Sequence, residues 1–339
     1  MTIDGIINAI PLAAIAIKRD EHLICANEKA VKILGSPMLN NHFIHSIRYP
    51  DIVEAIENVF ATSQAQTVVW RTSRHSLDVF YDVTVSLIDH DIALVSFEDR
   101  TAFEQGRQVR RDFVSNVSHE LKTPLTSIIG FLETLETVAK DDPEARTRFL
   151  QMMKQEAYRM NRLVSDLLSL NHIENNVHTR PTDLIDLTAI LRLTLENLGP
   201  VLARNGNDAL FDAPTKSVMI QGDADQLRQV FSNLIENAMK YGGPDKAIKI
   251  SLGEIMNQPL LRADGVAVDV TDTGPGISHV HLARLTERFY RIDSHRSRQV
   301  GGTGLGLSIV KHIITRHRGR LSIKSEIGQG TTFSVILPK

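Results

Sequence analysis

A helical pattern that runs from residue 101 to residue 175 constrains the fold of this chain most strongly. Only Gly106, Pro124, Gly130 and Pro143 could interrupt a helix here, and the turn sequence AKDDPEA divides the range in two. Apolar residues recur every three or four positions on each side of that turn, which predicts two helices and therefore a helical hairpin. These apolar positions are Phe113, Val117, Leu121, Leu125, Ile128, Leu132 and Leu135, followed by Leu150, Met153, Ala157, Met160, Val164, Leu167 and Leu170.

The two helices of such a hairpin cannot bury their apolar stripes alone, because half of each stripe would stay exposed. Pairing of two chains into a four-helix bundle would cover it, which predicts a homodimer. Packing against another domain of the same chain is the alternative. The segment TAFEQGRQVRRDF could continue the first helix back toward residue 100, although Gly106 weakens that interpretation.

Length and composition limit the classes of protein to which this chain can belong. A chain of 339 residues is too long for one ordinary core and predicts two or three domains. The net charge of -2 and the pI near 6.7 give no general basic surface, so direct nucleic-acid binding is not expected. Cys25 is the only cysteine, which excludes an intrachain disulfide and predicts a small buried side chain. No stretch approaches the roughly 18 to 20 apolar residues of a membrane span, so we expect a soluble cytoplasmic chain.

Two further regions flank the hairpin. Residues 1–100 begin with a short helix pattern that leads into a strand, and the segments AAIAI, LICAN and VFYDVTVSL predict a small antiparallel sheet. From residue 176 onward strand and helix patterns alternate, and glycines cluster near residues 274–276, 301–306 and 328–330. This range predicts a separate α/β domain.

His119 stands in the segment FVSNVSHELKTPL, on the polar side of the first helix. Each helical residue advances by about 100°, so His119 lies about 200° from Val117 and Leu121 and faces solvent. An exposed histidine is often only a surface residue. Here Glu120 can accept a hydrogen bond from one imidazole nitrogen and leave the other free, which makes His119 a candidate nucleophile.

The segment DADQLRQVFSNLIENAMKYGG predicts a helix with an apolar face and a polar face, and Asp223 is its candidate N-cap. Two asparagines in mid-helix are poor helix formers, which argues against a merely solvated surface. Amide, carboxylate and ammonium groups together suit a hydrated magnesium ion and phosphate oxygens. The polar face consists of Asn233, Glu236, Asn237 and Lys240.

Two glycine-rich segments follow. In VAVDVTDTGPGI, Asp272 comes after a buried strand, and its carboxylate could accept a hydrogen bond from an exocyclic amine such as that of adenine. Gly274 and Gly276 permit the tight turn, and a simple turn is the alternative reading. In GGTGLGLSIVKHII the glycines precede a helix whose first N–H groups can hold phosphate. This segment lacks the Walker lysine and does not fit a dinucleotide-binding unit.

In this order the motifs resemble those of the sensor histidine kinases of two-component systems. FVSNVSHELKTPL resembles the H-box, NLIENAMKY the N-box, DTGPGI the first G-box, RFYRID the F-box, GGTGLGL the second G-box and GQGTTF the terminal glycine segment. IPLAAIAI, LICANEKAVKILG and SFEDRT resemble a PAS sensor domain. Within the family, VRRDFVSNVSHELKTPLTSIIGFLETL and LTERFYRIDSHRSRQVGGTGLGLSIVKHIITRHRGRL are most similar to phosphate-regulon sensor kinases.

The resemblance implies a multidomain α+β fold. Residues 1–100 would form a PAS-like mixed α/β domain, and residues 101–175 a dimerisation and histidine-phosphotransfer hairpin that makes a four-helix bundle in the dimer. Residues 176–339 would form an α/β sandwich that binds ATP, of the GHKL or Bergerat type. ATP and Mg²⁺ are the implied cofactors. The implied partners are a second copy of the chain and the receiver domain of a response regulator.

The resemblance also implies roles for individual residues. His119 would be the phospho-acceptor, Glu120 would orient or deprotonate the imidazole, and Thr123 would orient the water that dephosphorylates the regulator. Asn237 would coordinate magnesium. The remaining nucleotide-binding residues would be Asn233, Lys240, Tyr241, Asp272, Gly274, Gly276, Arg291, Gly302, Thr303, Gly304, Leu305 and Gly306.

Two mobile parts are expected from this scheme. Residues 277–300 would form a lid that carries Arg291, Arg296 and Arg298 as candidates for contact with the γ-phosphate. The nucleotide domain must also swing to reach the phospho-acceptor, and the polar segment NHIENNVHTRPTD is the expected hinge.

Other readings stay open. An ATPase of the gyrase, Hsp90 and MutL type shares the nucleotide motifs but does not need the histidine-bearing hairpin, and a non-catalytic PAS signalling scaffold does not need intact nucleotide motifs. Because sensor kinases of this kind usually carry membrane helices, the chain is expected to be a cytoplasmic sensor, to dock on a membrane-associated partner at the inner face of the plasma membrane, or to lack an upstream segment. Two histidine pairs offer too few ligands for a metal site, namely His279 with His281 and His42 with His45.

Overall fold

A computed structural model describes residues 2–35, 39–74, 77–176, 179–258, 263–292 and 302–339. Its contacts divide the chain into two compact units, Met1–Ser115 and Asn116–Lys339. In the described part of the chain no helix is both long and apolar enough to cross a membrane.

The amino-terminal unit is built on a five-stranded antiparallel sheet with the order β2-β1-β5-β4-β3. The predicted small antiparallel sheet is therefore confirmed, as is the helix that leads into the first strand. The elements are α1 (Ile3–Ala9), β1 (Ala13–Lys18), β2 (Leu23–Ala26), α2 (Glu28–Leu34), a 3-10 turn (Phe43–His45), α3 (Pro50–Thr62), β3 (Gln66–Arg74), β4 (Leu77–Asp89) and β5 (Ile92–Asp99).

Strand β1 is buried on both faces, which explains why AAIAI shows no polar alternation. Its isoleucines, Ile15 and Ile17, pack into the core that α3 covers, whereas its small Ala14 and Ala16 face the helix α1 together with Cys25. Burial raises the pKa of the Cys25 thiol to about 12, with a further contribution from Asp4. The prediction of an inert, packed cysteine is confirmed.

Asn27 connects three pieces of this unit. Its Oδ1 accepts hydrogen bonds from the Ala14 N–H at 3.1 Å and from the Ala30 N–H at 2.9 Å, which caps α2. Its Nδ2 donates to the carbonyls of Ile7 at 3.2 Å and Leu12 at 2.8 Å. The bonds to Ala14, Ala30 and Ile7 are shielded from water, because they are buried together with Asn27.

The helical hairpin consists of α4 (Thr101–Glu136) and α5 (Pro143–Asn175), as the periodicity predicts. α4 runs unbroken through Gly106, so the doubt attached to that glycine is resolved in favour of a continuous helix. α5 begins with Pro143 at its first position, and Asp142 accepts hydrogen bonds from the Glu144 and Ala145 N–H groups.

The predicted hinge segment NHIENNVHTRPTD begins too early. Its first five residues, up to Asn175, are the last residues of α5, because the apolar stripe of that helix continues through the buried Leu170 and Ile173. The described connection between α5 and the next element is therefore shorter than the sequence predicts.

The carboxy-terminal α/β part has a five-stranded sheet with the order β11-β12-β10-β9-β7, in which only β7 pairs in parallel. Helices α6, α7 and α9 pack on this sheet, and α7 contacts both of the others, which gives a two-layer sandwich. The elements are β6 (Leu184–Asp186), α6 (Leu187–Arg204), β7 (Asp208–Asp212), β8 (Met219–Gln221), α7 (Ala224–Gly242), β9 (Ala247–Gln258), β10 (Ala263–Asp272), α8 (His279–Leu282), α9 (Gly306–Arg316), β11 (Arg320–Glu326) and β12 (Gly330–Pro338).

Replacement of Asn27 by alanine is expected to lower the free energy of unfolding by on the order of 3 kcal/mol, because it leaves buried backbone groups without partners. The control is Asn41→Ala, at an exposed position of the same unit. Urea unfolding followed by circular dichroism measures both variants. Equal stability of the two variants would contradict the connecting role of Asn27.

Candidate functional site

A cavity of about 650 Å³ lies in the carboxy-terminal unit between the polar face of α7, the loop after β10 and the glycine loop before α9. The sequence-predicted residues that line it are Asn233, Asn237, Lys240, Tyr241, Asp272, Gly276, Arg291, Gly302, Thr303, Gly304 and Gly306. The structure thus brings together residues that are up to 73 positions apart in the sequence, from Asn233 to Gly306.

Helix α7 forms one wall of the cavity because it has the two faces that the sequence predicts. Asp223 caps the helix by accepting hydrogen bonds from the Asp225 and Gln226 N–H groups, both at 3.1 Å. The apolar face is fully buried, and it consists of Leu227, Val230, Phe231, Leu234 and Ala238. Burial of that face fixes the rotation of the helix and so directs its polar face into the cavity.

The polar face of α7 is partly paired. Lys240 Nζ donates to Glu236 Oε2 at 2.8 Å, one helical turn away. Asn233 Nδ2 donates to the Gly306 carbonyl at 3.5 Å, which joins α7 to the start of α9. Asn237 also lines the cavity, and Tyr241 stands at the exposed end of this face. Amide oxygens, a carboxylate and an ammonium group are therefore available in one wall.

Asp272 ends β10 at the bottom of the cavity and is only 6% exposed. Burial raises the pKa of its carboxyl group, and hydrogen bonds from the backbone of Gly274 and Thr331 oppose this rise. The Gly274 N–H donates to Oδ1 at 2.9 Å. A buried carboxylate with few partners is a strong acceptor for a ligand N–H group.

Glycines allow the backbone to approach Asp272 closely. A Cβ atom at Gly274 would lie 2.8 Å from the Gly242 Cα. Gly276 has φ of +72°, and a Cβ there would lie 2.0 Å from the Glu326 carbonyl oxygen. Both positions therefore exclude side chains, which confirms the tight turn that the sequence predicts.

The glycine loop before α9 is fixed by buried contacts. Gly304 has φ of +74°, and a Cβ there would lie 2.9 Å from the Phe289 Cα. The next residue, Leu305, is fully buried and anchors the first turn of α9, so it supports the cavity without lining it. Gly306 begins the helix, with its position close to Asn233.

Two residues of α5 also line the cavity, namely Arg162 and Asp166. Thr303 Oγ1 donates to Asp166 Oδ2 at 2.8 Å, and burial raises the pKa of this aspartate. Sequence reasoning missed both residues, because on the helical pattern of α5 they are ordinary polar positions. The nucleotide-type cavity and the hairpin therefore share a wall.

The hairpin residues of interest lie on α4. His119 is exposed, which confirms that its imidazole faces solvent. Thr123 Oγ1 donates to the His119 carbonyl at 3.1 Å. The Glu120 carboxylate contacts two arginines, with Oε2 lying 3.1 Å from Arg159 Nη2 and 3.2 Å from Arg291 Nη2. Arg291 was expected at the phosphates, and in this structure it lines the cavity and reaches Glu120.

The segment between β10 and α9 is described except for residues 293–301. His281 Nδ1 lies 2.7 Å from the Tyr290 hydroxyl, and the Arg284 guanidinium stacks on the Tyr290 ring at 4.3 Å. Arg296 and Arg298, predicted as lid residues, lie outside the described residues. Among the residues that are described, no group of three or more side chains suits a metal site.

Two family models match the chain. The His Kinase A (phospho-acceptor) domain matches residues 109–176, and the histidine kinase-, DNA gyrase B-, and HSP90-like ATPase matches residues 222–339. Sensor protein kinase WalK of Staphylococcus aureus is 32% identical over 347 aligned positions, which cover 99% of this chain and 80% of that relative. The chain belongs to the sensor histidine kinase family.

Another relative of this sensor histidine kinase is the phosphate regulon sensor protein PhoR of Pseudomonas aeruginosa. It is 43% identical over 241 residues, which cover 71% of this chain and 53% of the relative. The chain thus spans about half the length of PhoR and, at 55%, of several other WalK sequences.

Solved histidine kinases share the fold. AdeS of Acinetobacter baumannii superimposes with a TM-score of 0.50 at 24% identity, covering 65% of this chain and 97% of that structure. ThkA in complex with the response regulator protein TrrA gives a TM-score of 0.54 at 19% identity, covering 100% and 98%. The likeness supports a multidomain α+β histidine kinase with a helical phospho-acceptor region and a GHKL-type ATPase domain.

Replacement of Gly276 by alanine is expected to lower the free energy of unfolding of this sensor histidine kinase by about 2 to 4 kcal/mol, because the added methyl group collides with the Glu326 carbonyl. The matched control is Gly253→Ala on β9, where a Cβ meets nothing within 4 Å. Chemical denaturation of both variants gives the difference. A Gly276→Ala protein as stable as the Gly253→Ala control would show that the turn is not sterically closed.

Proposed function

We propose that this chain is an ATP-dependent protein-histidine kinase that phosphorylates His119 and passes the phosphoryl group to an aspartate of a response regulator. One observation carries the proposal: a cavity with the chemistry of a nucleotide site and a solvent-facing histidine on a helix belong to the same compact unit. The structure of ThkA was solved in complex with a response regulator protein, which supports a response regulator as the partner of this chain.

The cavity residues suit the parts of ATP. Asp272 can accept a hydrogen bond from the exocyclic amine of adenine, and the glycines of the loop let backbone N–H groups approach the phosphates. Lys240 adds a positive charge near them, and Tyr241 stands where ribose or base would lie. The predicted nucleotide-binding set is thus proposed as a whole, including Arg291 once it leaves Glu120.

Magnesium fits the wall formed by α7. Asn237 offers an amide oxygen, with Asn233 on the same face of the helix, and Mg²⁺ keeps most of its ligands as water and phosphate oxygens. Few protein ligands are therefore enough. When bound, Mg²⁺ would neutralise part of the charge on the triphosphate.

The chemistry follows from the position of His119. A free imidazole nitrogen would attack the γ-phosphorus, the bond to the β,γ-bridging oxygen would break, and ADP would leave. Glu120 would take the proton from the other imidazole nitrogen or hold it in place. The phosphohistidine would then donate its phosphoryl group to the aspartate of the receiver domain. In a separate phosphatase reaction, Thr123 would orient the water that hydrolyses the phosphoaspartate of the regulator to aspartate and inorganic phosphate.

The exposed apolar stripe of the hairpin supports a homodimer. Leu125 and Leu132 of α4 are 47% and 46% exposed, and Leu150 and Val164 of α5 are 51% and 43% exposed. Apolar side chains that repeat along one face in this way need a partner, and a second copy would complete a four-helix bundle.

We further propose a PAS-like sensor domain for residues 1–100, a phosphotransfer hairpin for residues 101–175 and an ATP-binding domain for residues 176–339. The sheet order β2-β1-β5-β4-β3 with helices after β2 supports the first of these. The 43% identity to PhoR supports phosphate sensing as the biological context. Cytoplasmic placement and a membrane-associated sensory partner are proposals of the same kind.

Incubation with γ-³²P-ATP tests the phospho-acceptor. The wild-type chain is expected to acquire label that is labile to acid and stable to base, and His119→Ala is expected to acquire none. His90→Ala, at an exposed turn of the amino-terminal unit, is the matched control and should label like the wild type. Undiminished label on His119→Ala would overturn the assignment.

The Asp272→Asn substitution separates binding from stability. ATP affinity, measured by calorimetry, is expected to fall roughly tenfold to a hundredfold because a charged acceptor is lost.

The same substitution changes how stability depends on pH. The pKa of Asp272 is raised in the folded protein, so its ionised form destabilises the fold, and the free energy of unfolding of the wild type falls as the pH rises through that pKa. The variant should therefore gain stability over the wild type as the pH increases from 4 to 8, and a constant difference would contradict the effect of burial.

A further inference from the structure

A cluster of four charged groups joins the two helices of the hairpin close to His119. Glu120 of α4 is 23% exposed at its side chain, and Arg159 of α5 is 14% exposed. Arg159 Nη1 also lies 3.7 Å from Glu156 Oε2, one helical turn back along α5. The fourth member is Arg291, whose side chain is 8% exposed.

The two arginines bind the same oxygen of Glu120. Arg159 Nη2 and Arg291 Nη2 both contact Oε2, and no other partner among the described residues touches this carboxylate. Oε1 is therefore contacted by neither arginine. A carboxylate on a flexible glutamate side chain samples many rotamers unless one of its oxygens is held.

The two arginines differ in what holds them. Arg159 and Glu120 lie on the two arms of one hairpin, and Arg159 Nη1 lies at ion-pair distance from Glu156 Oε2, which accepts no hydrogen bond from the described residues. Arg291 instead comes from the segment between β10 and α9, and its buried Nε has no hydrogen-bond partner among the described residues. The contact of Arg291 therefore depends on the placement of a segment outside the hairpin, whereas that of Arg159 does not.

We propose that Arg159 is a positioning residue that fixes Oε2 of Glu120, so that Oε1 is presented to the His119 imidazole during phosphorylation. The inference rests on the proposed function of His119 and Glu120. Arg291 shares the carboxylate in this structure and is free to leave it for the nucleotide, whereas Arg159 stays with the hairpin. The planar guanidinium matters here, because it contacts Glu120 and Glu156 with two different nitrogens in one fixed plane.

Initial rates of autophosphorylation against ATP concentration test the proposal. Arg159→Gln is expected to lower kcat roughly tenfold to a hundredfold through loss of orientation, with KM and the calorimetric ATP affinity within about twofold of the wild type. Arg159→Lys, which keeps the charge but not the fork, should be intermediate. The matched control is Arg148→Gln, at an exposed arginine of α5 that stacks on Phe149, and it should keep the wild-type rate.

A double-mutant cycle of Arg159 and Glu120 distinguishes positioning of Glu120 from a general contribution of Arg159 to the fold. In the Glu120→Gln background, Arg159→Gln is expected to cause no further loss beyond about twofold, because the carboxylate that Arg159 orients is already absent. Losses that multiply, or a wild-type kcat for Arg159→Gln while Glu120→Gln is slow, would overturn the inference. If circular dichroism shows that Arg159→Gln does not fold, the same double-mutant cycle is measured with Arg159→Lys in its place.

Failure of the proposed function has a different signature. Label on His119→Ala, or a wild-type rate for Glu120→Gln, would remove the basis of the inference whatever Arg159 does. With His119 and Glu120 confirmed, the result for Arg159 decides the inference alone.

Discussion

The packing of α7 against the sheet is the interaction on which the carboxy-terminal unit depends. Its apolar face, centred on Val230, Phe231 and Leu234, is fully buried, and the burial of each such side chain contributes about 1.5 to 3 kcal/mol. The same packing fixes the rotation of the helix. Asn233, Asn237 and Lys240 therefore face one cavity, and the site exists because the core exists.

The site has two features that the stability of the fold does not require, namely a buried carboxyl group and glycines with positive φ. Asp272 is buried although burial raises its pKa and disfavours its ionised form. Gly276 and Gly304 hold backbone conformations that side chains rarely adopt. The buried carboxylate reduces stability, and the function proposed here explains both features, since a carboxylate and close backbone N–H groups are what adenine and phosphate require.

The sequence predicted the elements well where the signal is local. Periodicity and neighbouring residues predicted four features that the structure confirms. These are the hairpin helices α4 and α5, the N-cap at Asp223, the buried Cys25 and the exposed His119. The hinge was placed too early because its polar residues look like a loop, whereas Leu170 and Ile173 of the preceding stripe keep α5 helical to Asn175. The bonds from Asn27 to Ile7, Leu12 and Ala14 also gave no signal, since these partners lie 13 to 20 positions before it.

The sequence by itself determined which residues form helices, where glycine is needed and which motifs belong to the family, because these depend on neighbours a few positions apart. Only the tertiary structure decided that Asp166 meets Thr303, and that Arg159 and Arg291 meet Glu120, across separations of up to 171 positions. Such pairs form when whole elements pack, and the rotation and register of each element are set by its buried face. No local pattern around Arg159 or Asp166 carries that information.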